Sequence, residues 1–437
     1  MQDKKDNFDV TVIGGGLAGM SSSIHLANAG LKVLCIEADP LDKDPVGESL
    51  DWSAPDLLKA LGLPMQYLLD QGIATYKRHV ILKLRDGAEQ HYIPGEWLGK
   101  PPYNVNLRTL HVDRSQLNQA LREIFIGKGI TLINDRVAHI ETAGRVVKAV
   151  VTARGERIVS KWFIDASGSN AGLFPRIFDL PVYEYGPHKV AMWEYFTVPE
   201  SIEGTILHAD GAGPPYMEWV WQIPIHPNTI SVGYVTTGEM VKEKRQQGLS
   251  VRDIFAAQLQ RFPDLQSLLH EPGREQPRTT SFRCRVFANV AGPNWLVAGE
   301  AAAMVDPMTS NGVTAALRHA AEGSSLIIRY RNRQTLSRLS AAMYSQRVLS
   351  LARFFNSGIE NVLYDWPIRN RIGPFNAGDL YTIPAWSMNV VYSRLRPQGL
   401  IKTTLLRLLL ATLRYSLGAF HWFCKRTQSS STSGAAS

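Results

Sequence analysis

Cysteine is scarce. The 437 residues hold three, Cys35, Cys284 and Cys424, far apart and outside any CxxC or Cys/His cluster. That spacing excludes a disulfide scaffold and a thiolate metal site, and it fits a reducing, cytoplasmic setting. No metal is expected. Long apolar runs are missing as well: no stretch reaches about 18 apolar residues without a charge, so no transmembrane helix is expected. The N-terminus, MQDKKDNFDV, lacks the apolar core of a secretory signal. Acidic residues stop at Asp379, whereas Arg394, Arg396, Lys402, Arg407, Arg414, Lys425 and Arg426 follow it. The net charge of +8 is therefore concentrated in the tail. The near-neutral body argues against nucleic-acid binding.

What remains is an ordinary globular composition, 45% apolar and 20% charged, long enough for two lobes. Residues 8–13 read as a buried strand, 17–29 as a helix ended by Gly30, and 31–37 as a second strand, which makes one βαβ unit. The turn carries Gly14, Gly16 and Gly19. The first permits the tight turn, the second lets the backbone approach a pyrophosphate, and the third lets helix and strand pack closely. The helix N-terminus, with Ala18 in its first turn, offers N–H groups and partial positive charge to phosphates. Glu37 closes the second strand, where an acid meets ribose hydroxyls. The unit binds a dinucleotide but does not decide between nicotinamide and flavin.

Later motifs decide it. In WLVAGEAAAMVDPMTSNGV, residues 295–313, a short strand ends at Gly299-Glu300, and a small-residue turn leads into a helix over 312–330. This resembles the second FAD signature of the flavin hydroxylase superfamily, in which an acid after glycine binds the ribityl chain. The superfamily usually has Asp where this chain has Glu300. Arg114, in HVDR, resembles the superfamily arginine that meets phosphates or ribityl. Asp165-Ala166-Ser167-Gly168 resembles a turn below the adenosine. Trp219 and Trp221, in WVWQIP, point to one face of a strand and by themselves read equally as core aromatics. MVDPMTSNGV matches the pattern FxxPxxSxG except that Met304 replaces Phe. Together the two patterns resemble the flavin-dependent halogenases, the tryptophan halogenase-like branch of that superfamily, over most of residues 8–350. VGESLDW (46–52) and AMWEYF (191–196) add to the resemblance.

The resemblance implies an α/β fold. A Rossmann-type FAD-binding domain (1–180 and 291–335) would carry an antiparallel-sheet substrate lobe (181–290), a helical C-terminal region (336–428) and a disordered tail (429–437). It implies FAD as cofactor, held by Pro307, Asn311, Gly312 and Val313 beside the residues above. Backbone N–H groups around Ser310, Asn311 and Gly312 would face halide and flavin. It also implies a flavin C4a-hydroperoxide that oxidises chloride or bromide, and a lysine that delivers the halogen to an electron-rich substrate. Trp219 and Trp221 would block the substrate from the flavin. Lys77 is the first candidate lysine and Lys83 the second, and a solvated lysine at a strand edge is an equal reading of Lys77. Thr309 stands where the tryptophan-specific enzymes have Glu, which argues against that subgroup. No second glycine-rich unit follows, so a separate flavin reductase would supply FADH2 to an enzyme acting on a small-molecule or carrier-bound substrate. A flavin monooxygenase of the same fold and a prenyl-lipid reductase stay open as alternatives. Over 400–426, Thr403, Arg407, Arg414, His421 and Lys425 form a narrow stripe against a wide apolar face. Such a helix either packs on the body or contacts a membrane peripherally.

Overall fold

The computed structural model describes residues 8–39, 45–96, 98–101, 108–168, 172–200, 204–210, 216–270, 276–333, 335–395 and 399–433. The chain opens with β1 (Phe8–Ile13), α1 (Leu17–Asn28) and β2 (Val33–Glu37), then β3 (Ala74–Lys77), β4 (Val80–Leu84), β5 (Glu89–Tyr92) and β6 (Thr109–Val112). Helix α2 (Arg114–Gly127) and β7 (Thr131–Asn134) follow, and β8 (Ser160–Asp165) comes after a three-stranded antiparallel flap. Next are β9 (Val182–Thr197), β10 (Thr205–Ala209), β11 (Trp219–His226), β12 (Thr229–Thr237) and β13 (Arg278–Phe287). The chain returns through β14 (Trp295–Val297) and β15 (Ala303–Met304) to α3 (Gly312–Arg329). Helices α4 (Arg338–Gly358), α5 (Trp366–Ile372), α6 (Pro374–Leu395) and α7 (Leu400–Ser433) close it, with a π-helical turn, Ile359–Leu363, after α4.

Two sheets organise the molecule. The first is parallel, in the order β14-β8-β1-β2-β7, and is the expected dinucleotide-binding sheet. Its central strands, β1 and β2, are buried along almost their whole length, as a parallel sheet covered on both faces requires. The turn glycines behave as the spacing predicts. Gly14 has φ +103, which favours glycine, and a Cβ at Gly19 would lie 1.8 Å from the Gly14 carbonyl oxygen. Only glycine lets α1 sit this close to β1. Asp113 caps α2 by accepting from the amides of Ser115 and Gln116, which fixes where Arg114 enters the helix.

The second sheet has eight strands, β15-β13-β9-β12-β11-β10-β4-β5. It extends beyond the 181–290 lobe, because β4 and β5 join its far edge and β10 pairs with β4 in parallel. This parallel pair brings the segment around Lys77 beside the eight-stranded sheet.

The tail departs from expectation in its helical extent. Helix α7 runs to Ser433, so the disorder expected from Ser429 does not begin there; residues 434–437 lie outside the described residues. Extending a helix already nucleated by packed turns adds a hydrogen bond for each residue fixed. Of the polar stripe, Thr403, His421 and Lys425 reach the body, whereas Arg407 is exposed. Thr403 is buried, while His421 and Lys425 both reach the Asp365 carboxylate, at 3.0 and 3.2 Å. Leu406, Leu410, Leu417 and Cys424 bury the packed face, and the opposite face leaves Ile401, Leu405, Leu408, Tyr415 and Trp422 exposed.

Candidate active site

Two cavities meet at the junction of the sheets. The larger, about 390 Å³, runs from the glycine turn to the tryptophan pair. Gly16 and Ala18 line one end and Trp219 and Trp221 the other; Arg114, Gly299, Glu300 and Pro307 lie between, with Ser310, Gly312 and Val313. A Cβ built on Gly16 meets nothing within 4 Å, so the backbone there faces open space, as close approach to a pyrophosphate requires. Arg114 is 6% exposed, not a solvated helix residue. It donates to the Val46 carbonyl at 3.0 Å and keeps a buried Nε without a partner among the described residues. An orphaned cationic donor in a glycine-lined cleft fits an anionic dinucleotide such as FAD. Gly14, Gly19 and Glu37 support this cleft rather than line it; both carboxylate oxygens of Glu37 accept backbone amides, those of Gly15 and Asp39.

The smaller cavity, about 70 Å³, holds Lys77. This lysine is 3% exposed at the end of β3, which removes the reading as a solvated edge residue. Its Nζ donates to the Leu50 carbonyl at 3.0 Å and lies 5.3 Å from the Trp52 ring. Burial pulls its pKa down to about 8, against an opposing pull from Asp51. Lys83 is different. On β4 it pairs with Asp264 and with Glu89, and the hydrogen bond to Asp264 raises its pKa. It is a partly exposed ion-pair residue outside both cavities.

Thr205, Leu207 and Ser310 line both cavities. Hydroxyls run along this partition: Ser310 Oγ lies 3.2 Å from Ser49 Oγ, which is 3.0 Å from Thr205 Oγ1, which is 2.8 Å from His111 Nε2. Ser310 adopts φ +52, and Asp179 alone shares that property among the described non-glycine residues. Such strain is held where the surrounding structure over-determines the backbone. The expected amide donors are fewer than three, because the Ser310 amide already donates to the Pro307 carbonyl at 3.0 Å. Those of Asn311 and Gly312 remain at the start of α3, while the Asn311 side chain turns to Asp51 in the lysine cavity.

The tryptophans are pinned in parallel fashion. Trp221 Nε1 donates to Ser231 (3.1 Å), which donates to Glu48 (3.2 Å). Trp219 Nε1 donates to Tyr364 (2.9 Å), which donates to Asp306 (2.9 Å). Each indole is thus anchored through one hydroxyl to a buried carboxylate. A Cβ on Gly233 would collide with the Trp221 ring, so glycine there makes room for it. Asp306 in turn holds Lys189, which also pairs with Glu360 in the π-helical turn, at 2.7 and 2.6 Å. Sequence reasoning missed Glu48, Asp306, Lys189 and Glu360. Glu48 and Asp306 lie inside quoted motifs, but Lys189 and Glu360 carry no local signal.

The family model for tryptophan halogenases matches residues 104–348, and that for the lycopene cyclase protein matches 9–180. A flavin-dependent halogenase of Armillaria mellea is 26% identical over 346 residues, covering 73% of this chain. The chain spans 64% of that relative's length. A 1H-pyrrole-2-carbonyl-(peptidyl-carrier protein) brominase of Pseudoalteromonas luteoviolacea is 27% identical, over 74% of this chain and 77% of its own. Among solved structures, the flavin-dependent brominase Bmp2 superposes with TM-score 0.75 at 18% identity, covering 94% of this chain and all of its own. PqsL of Pseudomonas aeruginosa, called a probable FAD-dependent monooxygenase, gives TM-score 0.71 at 15% identity, over 86% of this chain and all of its own. These superpositions establish a shared fold. With its family model spanning more than half of the sequence, and with a cleft that fits FAD, the chain belongs to the tryptophan halogenase family.

Proposed function

We propose that the chain is an FAD-dependent halogenase in which oxidant forms in the larger cavity and is used in the smaller one. The observation that carries this reading is Lys77, a desolvated lysine in a separate cavity that shares a polar partition with the flavin cleft. Reduced FAD with O2 supplies the oxidising equivalent that converts chloride or bromide to hypohalous acid. Trp219 and Trp221, each hydrogen-bonded at Nε1, close the cleft against an organic substrate. Ser310, Ser49 and Thr205 offer hydroxyls along the way to Lys77. Lys77 Nζ then holds the oxidised halogen against the substrate carbon; burial lowers its pKa to about 8, so it gives up its proton more readily than a solvated lysine. A separate reductase supplies FADH2, and the substrate is a small molecule, free or carrier-bound.

Turnover with FADH2, O2 and bromide against phenols, pyrroles and carrier-bound acyl groups, read by mass spectrometry, tests the reading. A bromine isotope doublet that requires bromide is the expected result. Product gaining only oxygen, whatever the halide, makes the chain a monooxygenase instead.

Peripheral membrane contact through residues 400–426 is also proposed. No helix among the described residues is long and apolar enough to cross a membrane. The outer face of α7 nevertheless combines exposed apolar side chains, Ile401 at 77% among them, with exposed Lys402 and Arg407. Apolar anchors beside cations suit an anionic bilayer surface. Co-sedimentation with anionic vesicles but not neutral ones is expected, and Ile401→Glu with Leu408→Glu should abolish it. Binding to neither vesicle type contradicts the proposal.

A further inference from the structure

The wall of the Lys77 cavity opposite the sheet carries a charge that the halogen-transfer reading leaves unused. Arg369, on α5, is 2% exposed and lines this cavity. Among the described residues its Nη1 reaches only the Asp210 backbone carbonyl, at 3.4 Å. Its Nε and Nη2 have no acceptor among the described residues. The two nearby carboxylates are engaged elsewhere: Asp210 with Arg261, and Asp365 with His421 and Lys425. Leaving a buried donor unsatisfied costs about 1–3 kcal/mol, and more for a charged group. A guanidinium so placed is matched by an acceptor that arrives with the ligand.

The rest of the cavity has the same polarity. Trp52 Nε1 and Tyr381 Oη, on two other walls, also lack partners among the described residues. Asp51, the single carboxylate on the wall among the described residues, already accepts from Asn311, and from the amide and hydroxyl of Ser53. Two cations, Lys77 and Arg369, therefore face one occupied anion; the rest of the lining is neutral and includes the apolar side chains of Leu82, Met217, Phe355 and Leu363. Such a chamber suits a flat apolar ring bearing one acceptor.

We propose that Arg369 is the residue that anchors and orients the substrate in this chamber, by donating from its unmatched N–H groups to a carboxyl-derived oxygen on the aromatic ring that binds there. This rests on the Lys77 cavity being the substrate chamber. A free carboxylate and a carrier-linked acyl carbonyl present the same acceptor to the guanidinium, and only the first adds a negative charge.

The test is equilibrium binding to the FAD-loaded, oxidised enzyme, without reductant or halide, so its outcome does not depend on whether the protein halogenates. The probes are 4-hydroxybenzoate, its methyl ester and phenol. Binding of the acid or the ester about tenfold or more tighter than phenol is expected. Acid above ester points to a free carboxylate, and ester equal to or above acid points to an acyl-linked substrate. Arg369→Met should bring all three probes together while leaving phenol binding and flavin absorbance as they were, and Arg369→Lys should retain part of the preference. If Arg369→Met does not fold, Tyr381→Phe and Trp52→Phe, each deleting one donor, should each shrink the preference. Equal binding of all three probes to the parent, or an undiminished preference in a folded Arg369→Met protein, overturns the assignment. Normal probe selectivity with no halogenated product counts against the halogenase reading alone.

Discussion

Lys77 and Lys189 are removed from water to nearly the same depth, at 3% and 0% exposure, yet their surroundings differ in kind. Lys77 meets one backbone carbonyl and an aromatic ring at the edge of a cavity. Lys189 meets two carboxylates, with the Tyr364 ring 4.4 Å away. Burial lowers the pKa of both, but around Lys189 the Asp306 and Glu360 charges outweigh it and hold the ammonium above its ordinary range. One lysine is left able to exchange its proton; the other is fixed as a cation that organises Asp306, Tyr364 and through them Trp219. Depth alone does not make a reactive lysine. What matters is whether burial is compensated.

The largest effect should come from breaking the compensated site. Lys189→Met leaves two buried carboxylates facing each other, and loss of one partner from such a cluster costs roughly 3–5 kcal/mol. Thermal or urea unfolding should show this, and adding Asp306→Asn and Glu360→Gln should recover much of it. A Lys189→Met protein as stable as the parent would mean the cluster is not held by charge.

The uncompensated site should respond to pH instead. Below about pH 8 Lys77 is protonated both folded and unfolded, and the burial cost is present in full. Between about 8 and its ordinary 10.5 only the unfolded chain keeps the proton, so the native state gains stability as pH rises through that window. The gain is about 3 kcal/mol at most. Lys77→Met removes this term, so its stability relative to the parent should decline steadily from pH 8 to 10.5. A pH-independent difference would contradict a depressed pKa.

The smallest effect belongs to Lys83. Its partly exposed ion pairs with Asp264 and Glu89 are worth about 0–1 kcal/mol. Lys83→Ala should change melting by a few degrees at most and leave product formation intact. Loss of halogenation in that variant would move the transfer role from Lys77 to Lys83.

The two cavities were unequally legible in the sequence. The flavin cleft is written in short range: Gly14, Gly16 and Gly19 sit at fixed offsets because turn, approach and packing each need a missing side chain at one position. Gly299 through Val313 is similarly a continuous strand-turn-helix segment. The lysine cavity is assembled from distant pieces, with Lys77 on β3, Trp52 in a loop, and Arg369 and Trp386 some 300 residues later. Spacing nominated Lys77 but left solvent exposure an equal reading, because its burial depends on those later helices. Lys189 finds its carboxylates 117 and 171 residues away, so no local pattern marks it. Helix α7 was legible as amphipathic, but which face turns inward depends on Asp365.

The division between a cavity that makes oxidant and one that spends it is tested most directly with Lys77→Ala in FADH2, O2 and bromide. Brominated product and hydrogen peroxide are measured together with the rate of flavin reoxidation. Product should fall by about a hundredfold or more, reoxidation should stay near the parent rate, and released peroxide should rise to match the lost product. Parent-rate bromination, or loss of flavin reoxidation along with product, would contradict the separation of the two cavities.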